Sequence, residues 1–225
     1  MSPRIILIET STSLCSTALV EGDRITAVRK SDSPRAHAAM TAPYVAEMLA
    51  ERRLRVSDCD AVCLSMGPGS YTGLRVGSST AKGLCFGGGI PLLAVSTLDV
   101  LVAQALAAGL PDGCRHIIPM IDARRMEVYS ALYSASGERL TEIAPVVVDS
   151  GFTAVDHVLF IGDGVEKCRE VLEGEGRWFR QECPTAEAMM KPALEEFRAG
   201  HFRDTAYFEP FYLKDFVATV GKKLF

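Results

Sequence analysis

The sequence predicts an α/β protein in which two units repeat one order of elements. Three observations carry this. The first thirty residues read as strands and give way to helical periodicity near residue 36. Apolar runs of the buried kind then alternate with helices to about residue 108. After Leu110-Pro111-Asp112-Gly113, strands followed by a mixed strand and helix part begin again. The repeat is one of pattern, without obvious identity between the halves. It divides the chain at 1–109 and 110–225, with a cleft expected between the units.

Each element has a local reason. Arg4 to Glu9 is a β-branched run, and the polar turn Thr10-Ser11-Thr12-Ser13 separates it from a second strand, Leu14 to Val20. Glu21-Gly22-Asp23 is a hairpin signal before a third strand, Arg24 to Lys30. From 36 to 54, Met40, Tyr44 and Met48 recur at helical spacing. Pro43 means that this helix either begins near Thr41 or is kinked. Asp60 to Met66 is a buried-type strand, and 72–86 is a second helix stopped by Gly87-Gly88-Gly89. Ile90 to Val95 is a strand, and Ser96 caps a helix to about Ala108. In the second unit, 116–121, 127–133, 139–148 and 158–161 read as strands. Helical stretches are expected from Val165 and over 187–199.

Composition narrows the function. With 225 residues, 48% hydrophobic and 23% charged, the chain can bury a sizeable core. A formal charge of −4 disfavours a protein whose main task is gripping nucleic acid. A small basic cluster, Lys214, Lys222 and Lys223, reads as a solvated tail or as a small basic contact patch. No apolar run approaches the roughly 18 residues of a membrane helix, so a soluble, cytoplasmic protein is expected. Seven cysteines without a C-x-x-C pair read as free, mostly buried thiols.

Two loops stand out. Residues 10–13 place consecutive hydroxyls and N–H groups at one end of a sheet, where a phosphate can be cradled. Ser65 to Arg75 joins a strand to a helix, a setting in which helix N-termini bind anions. It lacks the Gly-Lys-Ser/Thr of a Walker A loop, and its glycines at 67, 69 and 73 miss the dinucleotide spacing. Gly73, Gly77 and Ala81 recur every four residues as a smooth strip, which packs either on the chain's own sheet or on a partner's helix. No His pair has zincin spacing, and Gly69-Ser70-Tyr71 is only superficially like a nucleophile elbow. Metal ligands are therefore expected to be absent. Asp122, Arg124, Arg125 and Glu127 read as a loop salt-bridge set or as a substrate contact.

These motifs together resemble the TsaB (YeaZ) family. The residues that carry the resemblance are Ile8-Glu9-Thr10-Ser11-Thr12-Ser13, Arg35-Ala36-His37 and Gly67 to Gly77. To these add Ala81-Lys82-Gly83-Leu84, Ile90-Pro91-Leu92, Val95-Ser96-Thr97-Leu98 and Pro210 to Lys214. Many relatives carry Asp where this chain has Glu9. The resemblance implies duplicated actin-like (ribonuclease H-like) βββαβα domains. It implies a non-catalytic scaffold in making threonylcarbamoyladenosine beside the anticodon of tRNA. TsaD would be the catalytic partner and TsaE, an ATPase, would join them, with a homodimer forming when the chain is alone. ATP or ADP with magnesium is expected only at the complex interface, and tRNA is reached only through the complex. Where TsaD carries a metal-binding His-x-x-x-His, this chain has Thr97 and Leu101.

The docking surface expected from the first two helices comprises His37, Met40, Tyr44, Met48, Gly73, Val76, Gly77, Thr80 and Ala81. On that expectation Gly77→Leu abolishes TsaD binding and leaves the monomer folded. A nucleotide-dependent phosphotransferase or ATPase of the same superfold is the alternative. It would use Ser11, Thr12, Gly69, Ser70, Gly162, Asp163 and Gly164 around a nucleotide, with an acidic residue such as Glu9 or Asp122 for magnesium and as a base.

Overall fold

The computed structural model of the chain describes residues 2–33, 36–152 and 155–213. Arg35 and the basic cluster Lys214, Lys222 and Lys223 lie outside them. Two sheets of matching topology organise the protein. In the first, β1 (Arg4–Glu9), β2 (Cys15–Glu21) and β3 (Arg24–Ser31) form an antiparallel meander. Next, β4 (Ala61–Ser65) and β5 (Leu92–Val95) extend it in parallel, giving the order β3-β2-β1-β4-β5. In the second, β6 (His116–Asp122), β7 (Glu127–Ser130) and β9 (Ala144–Val147) make the meander, with the short β8 (Tyr133–Ser134) also paired to β6. Then β10 (Val158–Ile161) and β11 (Arg177–Arg180) add in parallel, giving β11-β10-β6-β7-β9. Read from its meander edge, the second sheet repeats the first strand for strand, so the duplication is one of topology.

The helices are α1 (Ala36–Glu51), α2 (Tyr71–Gly88), α3 (Thr97–Ala107), the single turn α4 (Arg169–Leu172) and α5 (Met190–Ala199). Successive strand residues face opposite sides of a sheet, and β1 shows what that does. Ile6 and Ile8 join Leu19, Val62 and Leu64 beneath Val45, Met48 and Leu49 of α1 and Ala81 and Cys85 of α2. On the other face, Ile5, Leu7 and Val20 meet Met189, Ala193 and Leu194 at the start of α5. In turn, Leu98, Leu101 and Ala105 of α3 pack on Ile117, Ile121 and Leu159 of the second sheet. The helix that follows each unit thus covers the other unit's sheet.

Several boundaries differ from expectation. Pro43 lies inside α1 and ends nothing; it sits on the exposed side, and two residues earlier Thr41 Oγ1 donates to the His37 carbonyl at 2.6 Å. Gly87 and Gly88 continue α2, and only Gly89, with φ 64°, stops it as a left-handed cap. In the second unit the 139–148 strand shrinks to β9. The helix expected from Val165 is a 3₁₀ turn plus α4, and β11 was not anticipated. That strand is a short, half-buried edge bounded by Arg177 and Arg180, so it carries little alternation to detect. Among the described residues the second unit has no counterpart of α1. All seven cysteines are free, and Cys15, Cys59, Cys63, Cys85 and Cys168 are buried. Among the described residues no helix is long and apolar enough to cross a membrane.

Candidate functional site

The motif from Gly67 to Gly77 acts first as a seat for the loop at residues 10–13. Ser70 N donates to the Ser11 carbonyl at 2.7 Å, and Thr10 Oγ1 donates to the Gly73 carbonyl at 2.9 Å. A Cβ on Gly69 would come under 3.0 Å from the Ser11 backbone, one on Gly73 from the Thr10 carbonyl oxygen, and one on Gly77 from Thr10 Oγ1. The small strip is therefore consumed by a backbone crossing inside the protein. Ser70 caps α2 by accepting from Gly73 N.

Opposite this loop stands Gly162-Asp163-Gly164 after β10. Gly162 presses on the Met120 backbone, and Gly164 N donates to the Met120 carbonyl at 3.0 Å. Asp163 Oδ1 accepts from Asp122 N at 2.9 Å. The two walls enclose a cavity of about 500 Å³ lined by Ser11, Thr12, His37, Ser70, Asp122 and Asp163, among others. The structure brings Ser11, Thr12, Ser70 and Asp163 to one cavity. Gly69, Gly162 and Gly164 sit behind them as packing residues. Five N–H groups of these loops already have partners: Ser11 N donates to Glu9, Ser70 N to Ser11, Gly73 N to Ser70 Oγ, Gly162 N to Arg180 and Gly164 N to Met120.

Glu9, at the end of β1, is one of the two acidic residues that the nucleotide alternative would use. Its side chain is fully buried, and Oε1 accepts from Ser11 N at 2.6 Å. Burial first, with the negative charge of Asp163 adding to it, lifts its carboxyl from 4.5 to about 7 against the pull of the Ser11 and Ser65 hydrogen bonds. Burial and the neighbouring Asp122 likewise raise Asp163 to about 6. Asp122 itself pairs with Lys167 rather than with Arg124 or Arg125.

A larger cavity of about 810 Å³ lies between α3 and α5, with Met66, Val102, Leu106 and Met190 among its walls. There the buried Tyr133 hydroxyl donates to Asp99 Oδ1 at 2.6 Å. Nothing in the sequence spacing pointed to it.

The expected docking residues separate into two sets. Met48, Gly73, Gly77 and Ala81 are buried against the chain's own sheet and loop, which corrects their assignment to an outward surface. Gly77→Leu accordingly tests folding, since its side chain would run into Thr10. His37, Met40, Tyr44, Val76 and Thr80 remain half-exposed on the outer faces of α1 and α2. The outward strip of α2 continues through Ser79, Gly83, Phe86 and Gly87, all exposed. Phe86 is 90% exposed, and a Cβ on Gly83 or Gly87 would meet nothing within 4 Å. The signal was present as Gly83-x-x-x-Gly87, but Gly87 had been read as part of a helix stop. Beside this strip, Lys82 Nζ donates to the Ala206 and Phe208 carbonyls at 3.0 and 3.2 Å, tying down the C-terminal segment. Tyr212 lies 5.0 Å from Tyr71 at the start of α2.

At the positions compared with the His-x-x-x-His of TsaD, Thr97 Oγ1 and Ser65 Oγ share a buried hydrogen bond of 2.8 Å, and Leu101 is core. Among the described residues no group of three or more His, Cys, Asp or Glu is placed to hold a metal ion.

Known proteins agree with this picture. The family model for TsaD, tRNA N6-adenosine threonylcarbamoyltransferase, matches residues 28–171. The tRNA threonylcarbamoyladenosine biosynthesis protein TsaB of Escherichia coli is 30% identical, with 96% of each chain covered. TsaB of Haemophilus influenzae is also 30% identical, over 94% of this chain and 93% of that protein. Among solved structures, YeaZ from Pseudomonas aeruginosa superimposes with a TM-score of 0.79 at 26% identity, over 94% of this chain and all of that one. The fold is accordingly the α/β, actin-like arrangement of those proteins. The chain belongs to the TsaB family of tRNA threonylcarbamoyladenosine biosynthesis proteins.

Proposed function

We propose that this chain is a non-catalytic subunit in the biosynthesis of threonylcarbamoyladenosine on tRNA, docking through the outer faces of α1 and α2 onto a TsaD-type paralogue. The observation that carries the reading is the outward strip of α2. Val76, Thr80, Gly83 and Gly87 make a smooth surface that lets another helix approach closely. Phe86 offers an aromatic anchor of the kind that dominates binding energy. His37, Met40 and Tyr44 extend the surface along α1. A partner with the same fold presents equivalent helices, so two-fold pairing is natural. The same symmetry accounts for a homodimer when the partner is missing. TsaE joins the assembly, ATP or ADP with magnesium sits at the junction, and tRNA is bound by the complex. The acidic charge suits a subunit that holds the catalyst.

Reconstitution tests this reading. Threonylcarbamoyl transfer to tRNA should require this chain, its TsaD and its TsaE together. Full transfer without this chain would sink it. One observation favours a second reading, a nucleotide-dependent phosphotransferase or ATPase. It is the cavity formed by Ser11, Thr12, Ser70 and Asp163. Calorimetry of the isolated chain with ATP and Mg²⁺ separates the two, since micromolar binding favours the nucleotide reading.

A further inference from the structure

The larger cavity, about 810 Å³ between α3 and α5, stands apart from the docking surface. Met66 and Val95, at strand ends of the first sheet, form its floor. Val102 and Leu106 of α3 and Met190 of α5 are among its walls. Gly137, with φ 90°, brings the turn after β8 against Val102 and Leu106. The volume falls within the roughly 300–1,000 Å³ of small-molecule sites. Met66 and Met190 are half-buried, and methionines adapt to an irregular guest.

Charged groups line this cavity unevenly. Its cations, Arg139, Lys191 and Arg203, are exposed at the rim. Arg203 pairs with Glu196 at 3.7 Å, and Arg139 faces the Tyr133 hydroxyl. That hydroxyl donates to Asp99 at 2.6 Å. Glu187 stands in the turn that leads into α5 and also lines the cavity. Its Oε1 accepts from Lys30 of β3 at 3.3 Å. Its Oε2 is buried and has no hydrogen-bond partner. A buried acceptor without a donor is costly, so this oxygen is an open position beside an apolar volume.

We propose that the cavity binds a small amphipathic amine, an organic cation whose apolar body lies between α3 and α5 and whose ammonium group meets Glu187 Oε2. The apolar walls favour a hydrocarbon body. The bare oxygen accepts an N–H donor, and a charged donor on a carboxylate makes the stronger bond. An anionic guest would set its charge against Glu187 and Asp99, with only the rim cations to answer it. Lys30 keeps Oε1, so the carboxylate bridges the ammonium groups of protein and guest.

The test uses the full-length chain and three compounds that share one apolar body: phenethylamine, phenethyl alcohol and hydrocinnamate. Binding is followed by NMR of the methionine methyl groups. Phenethylamine is expected to shift Met66 and Met190, which line the cavity, and to leave Met126, which does not. It should bind about tenfold tighter than the alcohol, or more, as a charge-assisted hydrogen bond allows. Hydrocinnamate should bind more weakly still. Glu187→Gln should bring the amine down to the level of the alcohol. Lys30→Met removes the ion pair but keeps the carboxylate, and should bind the amine at least as tightly as wild type. Loss of amine binding in Lys30→Met too would make Glu187 a structural residue and overturn the proposal. Equal affinity for amine and alcohol, preference for hydrocinnamate, or unchanged amine binding in Glu187→Gln would overturn it as well. So would a wild type that binds no amine at millimolar concentration.

Discussion

Gly73 and Gly83 stand ten positions apart on one helix and answer to opposite constraints. An added methyl on Gly73 meets the Thr10 carbonyl, whereas one on Gly83 meets open space. Gly73→Ala should therefore cost about 1–3 kcal/mol in urea unfolding through overpacking. Gly83→Ala should be stabilising, by about 0.5–1 kcal/mol, as expected for an exposed helical glycine. Glu9 makes a second residue-level prediction, in pH. Its folded value of about 7 lies above the ordinary 4.5, so the folded state holds a proton that the unfolded state releases. That contribution is complete below about pH 4.5 and is lost as pH rises through about 7, amounting to about 3 kcal/mol. Asp163, raised to about 6, adds a slope of the same sign. Chemical unfolding across this range should show stability falling with pH in wild type and a shallower fall in Glu9→Gln. An equal slope in the variant would refute the assignment to Glu9.

Helix α2 shows how much of the fold and of the candidate site was legible, and why the rest was not. Its position and period followed from the pattern, and so did its start after a strand and a Gly-rich turn. Its two faces did not, because small residues occur on both: Gly73, Gly77 and Ala81 inward, Ser79, Gly83 and Gly87 outward. Only the location of the 10–13 loop, a contact 63 residues away along the chain, decides which strip is buried. The meander β1–β3 was legible because each strand has its own turn signal. The edge strand β11 and the short α4 were not, since neither is long enough to display a period. Helix α5 is a third case: its existence was readable, its placement was not. It packs on the first sheet, so Leu194→Ala should lower stability by about 2–5 kcal/mol. Thermal unfolding should lose one transition as a whole, because the helix joins the two sheets.

The two sheets form one interlocked body through α3 and α5, each crossing to the opposite unit. A division at residue 109 follows the duplication but cuts the packing. Residues 1–109 produced alone should expose the face of Ile5, Leu7 and Val20 and bind a hydrophobic dye. A compact, dye-negative fragment would show that the face can close without α5. Between the units lies a cavity with acidic walls, and on the outside of the first unit lies the smooth strip of α2. The chain thus turns its glycine-rich motif inward and the small-residue strip of α2 outward, the arrangement that the proposed docking role needs. Calorimetric titration of the TsaD paralogue with wild type, Phe86→Glu and Gly83→Leu tests this most directly. Both variants should keep the wild-type unfolding temperature to within a few degrees and lose affinity by at least about 30-fold, the size of a hot-spot deletion. Wild-type affinity in both folded variants would contradict docking through the outer face of α2.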